Sequence, residues 1–270
     1  MARIRLDSLL VERGVFATRS RAAAAVMAGN VHVGDRSAVV KPGRLVEPDV
    51  PVQVDATTPY VSRGGIKLQN ALAAFDLDPR GRACLDVGAS TGGFADCLLQ
   101  HGATRVIALD VAYGQLDWGL RNDPRVTVVE RLNARSLAPQ TLPYRPDLVV
   151  IDVSFVSLTK VLPSVLACTA EPFDCLALVK PQFEVGRSRL PRGGVVRSAD
   201  DRRSALVDVG RFALDAGWSL IGYASSGLPG PAGNHESFVW IAEAGRTVAG
   251  RHGGGLAGAS VDEAARRVEP

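Results

Sequence analysis

The chain has few cysteines, and none of them forms a metal-binding pair. Its four cysteines, Cys84, Cys97, Cys168 and Cys175, contain no Cys-x-x-Cys spacing. This absence argues against a zinc site and against a disulfide framework. Two of the four lie in apolar runs, so buried free thiols are expected instead. No other pattern of side chains indicates a metal site.

A long hydrophobic run is also missing. No apolar stretch approaches the roughly 18 residues that a membrane span requires, and the amino terminus shows no hydrophobic signal core. Because 46% of the residues are apolar and 22% are charged, we expect a folded chain with a substantial core. These features together predict a cytoplasmic protein that does not act in a membrane.

Acidic residues are scarce in two stretches. The net charge is only +3, but residues 1–30 hold five arginines against Asp7 and Glu12. A second run has arginines at positions 187, 189, 192 and 197 with no acid between them. Such concentrations favour a polyanionic partner such as nucleic acid, although the second run could be a solvated loop. The first arginines lie near predicted helix starts, where a cation opposes the helix dipole, so a phosphate partner would account for them.

The length of 270 residues suits one medium domain and one small one. Residues 1–56 predict the small, α+β domain. Leu6, Leu9 and Leu10 predict a helix closed by Gly14, and a second helix follows from Thr18 through residue 27. The phrases VHV, GDR and AVV then predict a hairpin. A unit with so small a core is expected to be a binding module attached to a larger domain.

Three further segments complete the predicted organisation. The run DATTPYVSR interrupts the regular patterns, and residues 57–63 within it are assigned as a linker. Residues 64–245 form the second domain. Residues 246–270 are rich in Gly, Ala and Arg and predict a mobile tail, apart from a short helix over Val261–Val268.

The second domain alternates strand-like and helix-like segments. Helices are predicted over residues 92–101, 114–121, 157–167 and 201–216, between the strand phrases CLDV, RVIALD, VTVVE, DLVVID, CLALVK and WSLIGYA. Repeated βα units of this kind predict a mostly parallel sheet covered on both faces. The last two strands, WSLIGYA and SFVWIAE, have no helix between them and are predicted to pair antiparallel.

A glycine-rich turn follows the first of these strands, in the sequence CLDVGASTGGF. Its glycines stand at positions 88, 92 and 93, whereas dinucleotide-binding loops carry glycines at relative positions one, three and six. The spacing therefore disfavours NAD. An acid, Asp86, before such a turn and a second acid, Asp110, closing the next strand favour S-adenosylmethionine (SAM), with hydrogen bonds to its ribose. A tight turn without a ligand remains the alternative, with Asp86 only a turn-forming acid.

Several polar residues are predicted to share one edge of the sheet. Asp152 and Lys180 each follow a strand, and Glu236 precedes the final strand, whose start lies at the same edge if it runs antiparallel. Lys67 is placed in the first turn of a helix that begins near Ser62, where its charge is unfavourable to the helix.

Lys180 is the strongest candidate for a catalytic base. It follows the apolar run LALV, and Pro181 is expected to prevent a helix from carrying it elsewhere. A lysine shielded from water and close to another ammonium group, here Lys67, can act as a base near neutral pH. Asp152 could orient it. A purely structural Asp152–Lys180 ion pair is the alternative.

These residues resemble a known family. Lys67, Asp152, Lys180 and Glu236 resemble the K-D-K-E tetrad of FtsJ-like RNA ribose 2′-O-methyltransferases. The phrases VSRGGIKL, DVGASTGGF, DVAYGQL, DVSFVSL, LVKPQFEVG and GPAGNHE are similar to the TlyA, or haemolysin A-like, family over nearly the whole chain. The phrases LDSLLVERG, AGNVHV and KPG resemble an S-four-type RNA-binding domain.

The resemblance implies a Rossmann-like class I SAM-dependent methyltransferase with an amino-terminal RNA-binding domain. The implied reaction is 2′-O-methylation of cytidine in 16S and 23S ribosomal RNA, with Lys180 removing the proton, Asp152 orienting it, and Lys67 and Glu236 positioning the hydroxyl. The implied SAM-binding residues are Asp86, Gly88, Ala89, Ser90, Thr91, Gly92, Gly93, Phe94, Asp110, Asn133 and Ala134. The implied contacts to ribosomal RNA in both subunits come from Arg3, Arg5, Arg19, Arg21, Lys41, Arg187 and Arg189.

The chain departs from the family pattern at two places. The hairpin phrase is VGD where VNG is more usual, and the linker TPYVS lacks an arginine and a tryptophan of mycobacterial relatives. Residues 1–13 look like the longer arm that accompanies action on both subunits.

Three other functions are alternatives to rRNA methylation. They are a non-catalytic RNA-binding assembly factor, a membrane-active haemolysin, and a methyltransferase of small molecules or proteins.

Overall fold

The structure is a computed structural model that describes residues 3–16, 18–27, 29–34, 40–54, 59–186, 189–247 and 260–269. The predicted linker, residues 57–63, falls partly outside these ranges, at residues 57 and 58, as do Arg187 and most of residues 246–259. The described residues form a small amino-terminal unit and a larger α/β unit.

The amino-terminal unit combines two helices with two short antiparallel pairs of strands. Strand β1 (Ile4–Arg5) pairs with β3 (Leu45–Val46), and β2 (Val31–Val33) pairs with β4 (Val52–Val54). Helices α1 (Leu6–Glu12) and α2 (Arg19–Met27) pack on them through a core that includes Leu6, Leu10 and Val26. Both helices lie where the sequence predicts them.

The hairpin between the VHV and AVV phrases stays a prediction. The VHV strand, β2, pairs with β4, some twenty residues further along the chain, a partner that the sequence did not predict. Residues 35–39, which include most of the expected turn and partner, lie outside the described part of the chain. Alternation of apolar residues predicts a strand, but it does not specify which strand is its neighbour.

A seven-stranded sheet forms the centre of the larger unit. Its strands are β5 (Ala83–Val87), β6 (Arg105–Leu109), β7 (Val126–Val129), β8 (Leu148–Ile151), β9 (Asp174–Val179), β10 (Ser219–Ser225) and β11 (Ser237–Ala242). They lie in the order β10-β11-β9-β8-β5-β6-β7. Strands β5 to β9 are parallel, whereas β11 is antiparallel to both β9 and β10. The predicted α/β class, parallel sheet and antiparallel last pair are confirmed.

Helices cover both faces of this sheet. They are α3 (Arg63–Phe75), α4 (Gly93–Gln100), α5 (Trp118–Arg121), α6 (Leu162–Leu166), α7 (Pro181–Glu184), α8 (Ala199–Asp215) and α9 (Val261–Val268). Alternate strand residues point to opposite faces, so Leu85 packs with α6 and α8 in one core while Cys84 packs with α3 and α4 in the other. All four cysteines are buried free thiols, as expected.

Two predicted helices are shorter than expected, each for a local reason. The helix predicted over residues 114–121 begins only at Trp118, because Gly114 has a φ of 72° and the Asp117 side chain accepts a hydrogen bond from Gly119 N–H as the cap. The helix predicted over residues 157–167 is split into a 3₁₀ turn, Leu158–Lys160, and α6. Pro163 lies in the first turn of α6 and cannot donate the hydrogen bond that would continue one helix across both.

The carboxy-terminal helix, α9, packs against the larger unit. Ala264 and Ala265 are buried, and Glu269 Oε2 accepts a hydrogen bond of 2.7 Å from Arg202 Nε on α8. Ser260 caps the helix with a full capping box. The short helix that the sequence predicts over Val261–Val268 is confirmed with the same bounds. Within the described ranges, no helix combines the length and the apolar character that a membrane crossing would need.

The first turn of α3 packs closely against the Tyr60 side chain, and a substitution there tests whether this contact positions the helix. A Cβ atom at Gly65 would overlap the Tyr60 side chain, whereas one at Gly64 would lie 3.3 Å from Ser62 Oγ and 3.4 Å from Phe94. We expect Gly65→Ala to lower the free energy of unfolding by about 1–3 kcal/mol, measured by urea denaturation. Gly64→Ala is the matched control and should cost much less, since alanine favours a helix. Equal losses for both variants would contradict the described packing.

Candidate active site

The candidate site lies at the carboxyl edge of the central sheet, where the strand order reverses. Strand β5 has β6 on one side and β8 on the other, and ligands of open parallel sheets bind at such a switch point. The glycine-rich turn follows β5, and Asp152 follows β8. The topology therefore places the turn beside Asp152.

Gly88 makes this close arrangement possible. Its φ is 85°, in the left-handed region that favours glycine, and a Cβ atom here would lie 2.6 Å from the Asp152 carbonyl oxygen. A larger residue would push the turn away from the end of β8. The sequence suggests that this glycine admits a ligand, but the space left by its missing side chain is taken by neighbouring backbone.

Gly92 and Gly93 also serve packing inside the protein. A Cβ atom at Gly92 would overlap Leu120, and one at Gly93 would overlap Ser62 Oγ. These contacts hold the start of α4 against the start of α3 and against α5. Gly92, although predicted to contact the cofactor, lies outside the lining of the two cavities described next.

Two adjoining cavities open at the turn. The first, of about 260 Å³, is lined by Lys67, Asp86, Gly88, Ala89, Ser90, Thr91, Gly93, Phe94, Asp152, Lys180 and Glu236, among others. The second, of about 570 Å³, shares Gly88, Ser90 and Asp152 with the first and reaches Asp110, Asn133 and Ala134. The structure thus brings the tetrad and, except for Gly92, the predicted cofactor residues around two cavities with a common wall.

Asp86 is completely buried beneath the first cavity. One of its carboxylate oxygens accepts a hydrogen bond from Ala95 N–H at 2.9 Å, but the other, Oδ1, has no hydrogen-bond partner. Burial raises the pKa of Asp86 well above its usual range, and the nearby charge of Asp152 raises it further. A buried oxygen without a donor is costly, so a ligand that supplies a donor here would bind favourably.

Asp110 holds the glycine-rich turn in place. Its Oδ2 accepts a hydrogen bond from Ser90 N–H and its Oδ1 accepts one from Ala112 N–H, both at 2.7 Å. Each carboxylate oxygen keeps a second lone pair, so the predicted contact with a ribose is compatible with these bonds. Asn133 accepts a hydrogen bond from Arg135 N–H at 3.0 Å, and the neighbouring Ala134 is buried.

The first half of the tetrad is a buried ion pair. Lys67 Nζ donates to Glu236 Oε2 at 2.5 Å, and the two side chains are 9% and 2% exposed. Lys67 belongs to the second turn of α3, since the helix begins at Arg63. The expectation that it lies in the first turn was wrong, and its position needs no explanation from the helix dipole, which acts mainly within the first turn.

The second half of the tetrad is a more accessible ion pair. Lys180 Nζ lies 2.6 Å from Asp152 Oδ1 and donates a hydrogen bond to Ser154 Oγ at 2.9 Å. The contact with Asp152 is close, but its angle does not satisfy a hydrogen bond. The prediction about Pro181 was wrong, since α7 begins directly at this proline with Lys180 as its N-cap. Proline is favoured at the first helical position, and Lys180 stays at the edge because the cap residue precedes the helix.

Sequence reasoning missed Phe155 and Ser154, which follow Asp152 in the chain. The Phe155 ring is 91% exposed and lies 5.2 Å from the ring of Phe183. Its φ of 64° is uncommon for a residue other than glycine. Phe155 and Lys180 also line a third cavity of about 970 Å³. Neither its exposure nor its backbone conformation has a signature in the phrase DVSFVSL.

The predicted RNA-binding residues are held in different ways. Arg3 pairs with Glu47 at 2.8 Å, Arg5 and Arg19 both contact Asp7, and Lys41 is exposed. Arg189 lies 3.6 Å from Asp201 and 3.9 Å from Asp208 on α8, so part of its charge is compensated within the protein. The side chain of Arg21 and the whole of Arg187 lie outside the description.

Comparison with known families fits this geometry. The FtsJ-like methyltransferase family matches residues 60–243 of the chain. The chain belongs to that family. The matched range contains the whole tetrad, both ion pairs and the glycine-rich turn, which is the part of the structure built around the central sheet.

Full-length relatives place the chain more closely, in the TlyA family. The 16S/23S rRNA (cytidine-2′-O)-methyltransferase TlyA of Mycobacterium tuberculosis is 48% identical over 241 residues, which cover 88% of this chain and 90% of that protein. Hemolysin A of Brachyspira hyodysenteriae is 36% identical over 86% of this chain and 97% of its own. A solved structure named for a hemolysin of Streptococcus thermophilus superposes with a TM-score of 0.73, at 36% identity, over 99% of this chain and 96% of the other.

The burial of Asp86 leads to a prediction about stability. Since its pKa is raised in the folded protein, the ionised carboxylate destabilises the fold, and this penalty appears as the pH rises above the unfolded pKa of about 4. Asp86→Asn removes the charge, so we expect its melting temperature to exceed that of the wild type at pH 8, with the difference shrinking toward pH 4.

Asp123→Asn is the control for this comparison. Asp123 is held by Arg125, which lowers its pKa, so its loss should stabilise nothing at pH 8. A melting temperature of Asp86→Asn below that of the wild type at pH 8, but not at pH 4, would contradict the expected sign.

Proposed function

We propose that this protein methylates the 2′-hydroxyl of cytidine in 16S and 23S ribosomal RNA with SAM as the methyl donor. The observation that carries the proposal is the pairing of Lys180 with Asp152 and of Lys67 with Glu236 around one cavity that also touches the glycine-rich turn. Its membership of the FtsJ-like family and its 48% identity to a TlyA enzyme named for this reaction support the choice of substrate. An rRNA substrate would place the reaction in the cytoplasm.

The residues around the turn fit SAM. The buried Asp86 Oδ1, which has no donor, lies by the first cavity and suits the amino-acid portion of the cofactor, while Asp110 suits the ribose and Asn133 and Ala134 the adenine. When bound, SAM supplies a methyl group already activated by its sulfonium. The chain therefore needs only to align the acceptor hydroxyl and to take up its proton.

Lys180 is the proposed acceptor of that proton. Its Nζ lies at the common wall of the first and third cavities, and Asp152 and Ser154 hold it from two directions. These contacts restrict the rotation of a long side chain, which otherwise costs entropy each time it must be aligned. For this step Lys180 must first give its own proton to solvent and become a neutral amine; uptake of the hydroxyl proton then restores the ammonium group paired with Asp152.

Lys67 and Glu236 are proposed to position the hydroxyl. The pair is buried and carries no net charge, so Glu236 can accept a hydrogen bond from a ribose hydroxyl without a bare anion facing the cavity. Gly230 passes directly beside the Glu236 carboxylate, which a Cβ atom at that position would overlap. The loop before β11 therefore fixes the carboxylate from the side opposite Lys67.

Phe155 is proposed to stack on the target base. An aromatic ring with 91% exposure gains much from covering its face, and base stacking on an aromatic side chain is worth about 1–3 kcal/mol. The neighbouring Phe183 supports the ring from behind at 5.2 Å. A cytidine taken out of its RNA helix would meet Phe155 beside Lys180, on the wall of the third cavity.

Methyl transfer from labelled SAM to 30S and 50S subunits that lack the modification tests the proposed function. The wild type should label a cytidine ribose in each subunit. Lys180→Ala should lower kcat by about 10²–10⁴-fold while SAM binding is retained. Lys180→Arg keeps the positive charge but cannot give up its proton at neutral pH, so it should be as inactive as the alanine variant.

Activity of Lys180→Arg near the wild-type level would remove Lys180 from proton transfer and leave it an electrostatic role. Absence of label in both subunits with the wild type, despite SAM binding, would sink the rRNA assignment. Label in one subunit only would restrict it to that subunit.

A second experiment tests Phe155. Phe155→Ala should lower kcat/KM on subunits by about 10-fold to 100-fold, because one stacking contact is lost, with SAM affinity unchanged. Phe155→Trp should restore most of the activity. Trp118→Ala is the matched control, since Trp118 is also highly exposed, at 77%, and should leave kcat/KM unchanged. Equal effects of the two alanine variants would argue against a specific role for Phe155.

A further inference from the structure

A buried carboxylate, that of Asp7, lies beside two exposed arginines of the amino-terminal unit. Asp7, in the first turn of α1, is 2% exposed, yet it contacts two arginines whose side chains are largely open to solvent. Arg5 is 45% exposed and Arg19 is 58% exposed. Because one negative charge faces two positive ones, the group keeps a net positive charge.

The contacts within the group have a defined geometry. Arg5 Nε donates to Asp7 Oδ1 at 3.1 Å and Arg5 Nη2 donates to Oδ2 at 2.7 Å, which is a two-bond fork. Arg19 Nε approaches Oδ2 at 3.2 Å. The hydrogen bond from Arg5 lowers the pKa of Asp7 to about 2, with a contribution from Arg19. The carboxylate is therefore ionised across the physiological range.

Backbone hydrogen bonds hold a turn of the chain, residues 41–44, next to Asp7 and Arg5. Asp7 N–H donates to Pro42 O at 3.0 Å and Leu6 N–H donates to Arg44 O at 2.9 Å, so the turn at residues 41–44 lies against the start of α1. A Cβ atom at Gly43 would lie 3.0 Å from Arg5 Nη1. The absence of a side chain at Gly43 thus lets the Arg5 guanidinium lie between the turn and Asp7.

We propose that Asp7 is a positioning residue for RNA binding, which holds Arg5 and Arg19 side by side as one phosphate-binding site. The inference rests on the proposed function and adds to it how two of the predicted RNA-binding arginines, Arg5 and Arg19, are held in place. A guanidinium has five N–H donors. Arg5 uses two of them on Asp7, and within the described part of the chain no other acceptor takes the remaining three, which can reach phosphate oxygens of the RNA backbone.

Two accounts of Asp7 predict opposite effects of its removal on RNA affinity: one considers only its charge, and the other its positioning of the two arginines. An acid on a face that binds RNA repels phosphate, so its neutralisation should strengthen binding. If the acid holds two long side chains in a binding geometry, its removal frees them, and RNA must then bear the cost of ordering them. Asp7→Asn changes the charge by one unit with almost no change in shape, so the sign of its effect decides between the two accounts.

The decisive measurement is the affinity of the full chain for the same unmodified 30S and 50S subunits and for a short RNA duplex. We expect Asp7→Asn to raise Kd by about tenfold, as for the loss of one charge-assisted contact, and to flatten the salt dependence of binding. SAM affinity and kcat at saturating subunits should stay at wild-type values. A Kd equal to or below that of the wild type, in a folded variant, would overturn the proposal.

A double-mutant cycle separates positioning from a merely structural role. If Asp7 acts through the arginines, Asp7→Asn should have no further effect on Kd once Arg5 and Arg19 are both alanine. A full tenfold effect in that background would contradict the proposal. Lys41→Ala should add independently to Asp7→Asn, since Lys41 is exposed and contributes charge without this carboxylate.

Gly43→Ala keeps the experiment informative if Asp7→Asn fails to fold. This change moves no charge, but its Cβ atom would lie 3.0 Å from Arg5 Nη1 and make the guanidinium shift, so Kd should again rise, though by less than with Asp7→Asn. An unchanged Kd would count against a positioned Arg5. If the wild type methylates the subunits and both variants bind them with the wild-type Kd, the inference about Asp7 is overturned and the proposed function stands. If the wild type neither binds nor methylates the subunits, the proposed function is overturned as well.

Discussion

The close approach of the glycine-rich turn to the end of β8 is the constraint on which the candidate site depends. Gly88 lies against the Asp152 carbonyl with no room for a side chain, so the turn after β5 and the acid after β8 meet at the switch point of the sheet. Asp152 then reaches Lys180, which follows β9, the next strand. Because β11 runs antiparallel beside β9, its first residues return to the same edge and bring Glu236 to Lys67. The edge of the sheet thus brings together Asp152, Lys180 and Glu236, and α3 supplies Lys67, the fourth member of the tetrad.

The charges of this site are difficult to explain by stability. Removing Lys67 and Glu236 from water costs several kcal/mol for each ion, and well-packed apolar residues often serve a fold at least as well as a buried ion pair. Asp86 adds a completely buried carboxyl group with one oxygen that lacks a donor. These arrangements are costly in a domain whose two apolar cores already cover both faces of the sheet. Their concentration at one edge favours a function there over a structural role.

The sequence predicts the larger unit better than the smaller one. Apolar runs and the glycines that end them are local features of the sequence. They were therefore sufficient to predict the strands, the edge at which these strands end, and the tetrad residues at that edge. Side-chain partners depend on residues far apart in the chain, which is why the pairing of Val31–Val33 with Val52–Val54 and the contact of Arg189 with α8 were not foreseen. Phe155 escaped prediction because its exposure follows from a left-handed backbone conformation that phenylalanine rarely adopts. The packing of α9 escaped it because two small alanines carry the burial.

Two carboxylates hold different kinds of cation: Asp152 pairs with a lysine, Lys180, whereas Asp7 contacts two arginines. This difference matches the tasks proposed for the two sites. Of the 31 lysines and arginines in the chain only four are lysines, and two of these four, Lys67 and Lys180, belong to the tetrad. Where arginine is so strongly preferred elsewhere, a lysine at the site indicates a requirement that arginine does not meet. A lysine can give up and regain a proton, whereas an arginine stays charged and offers a rigid fork of donors. Beside Asp152 the first property suits the proposed proton transfer. Beside Asp7 the second suits the proposed binding of a phosphate, which must be held without reaction.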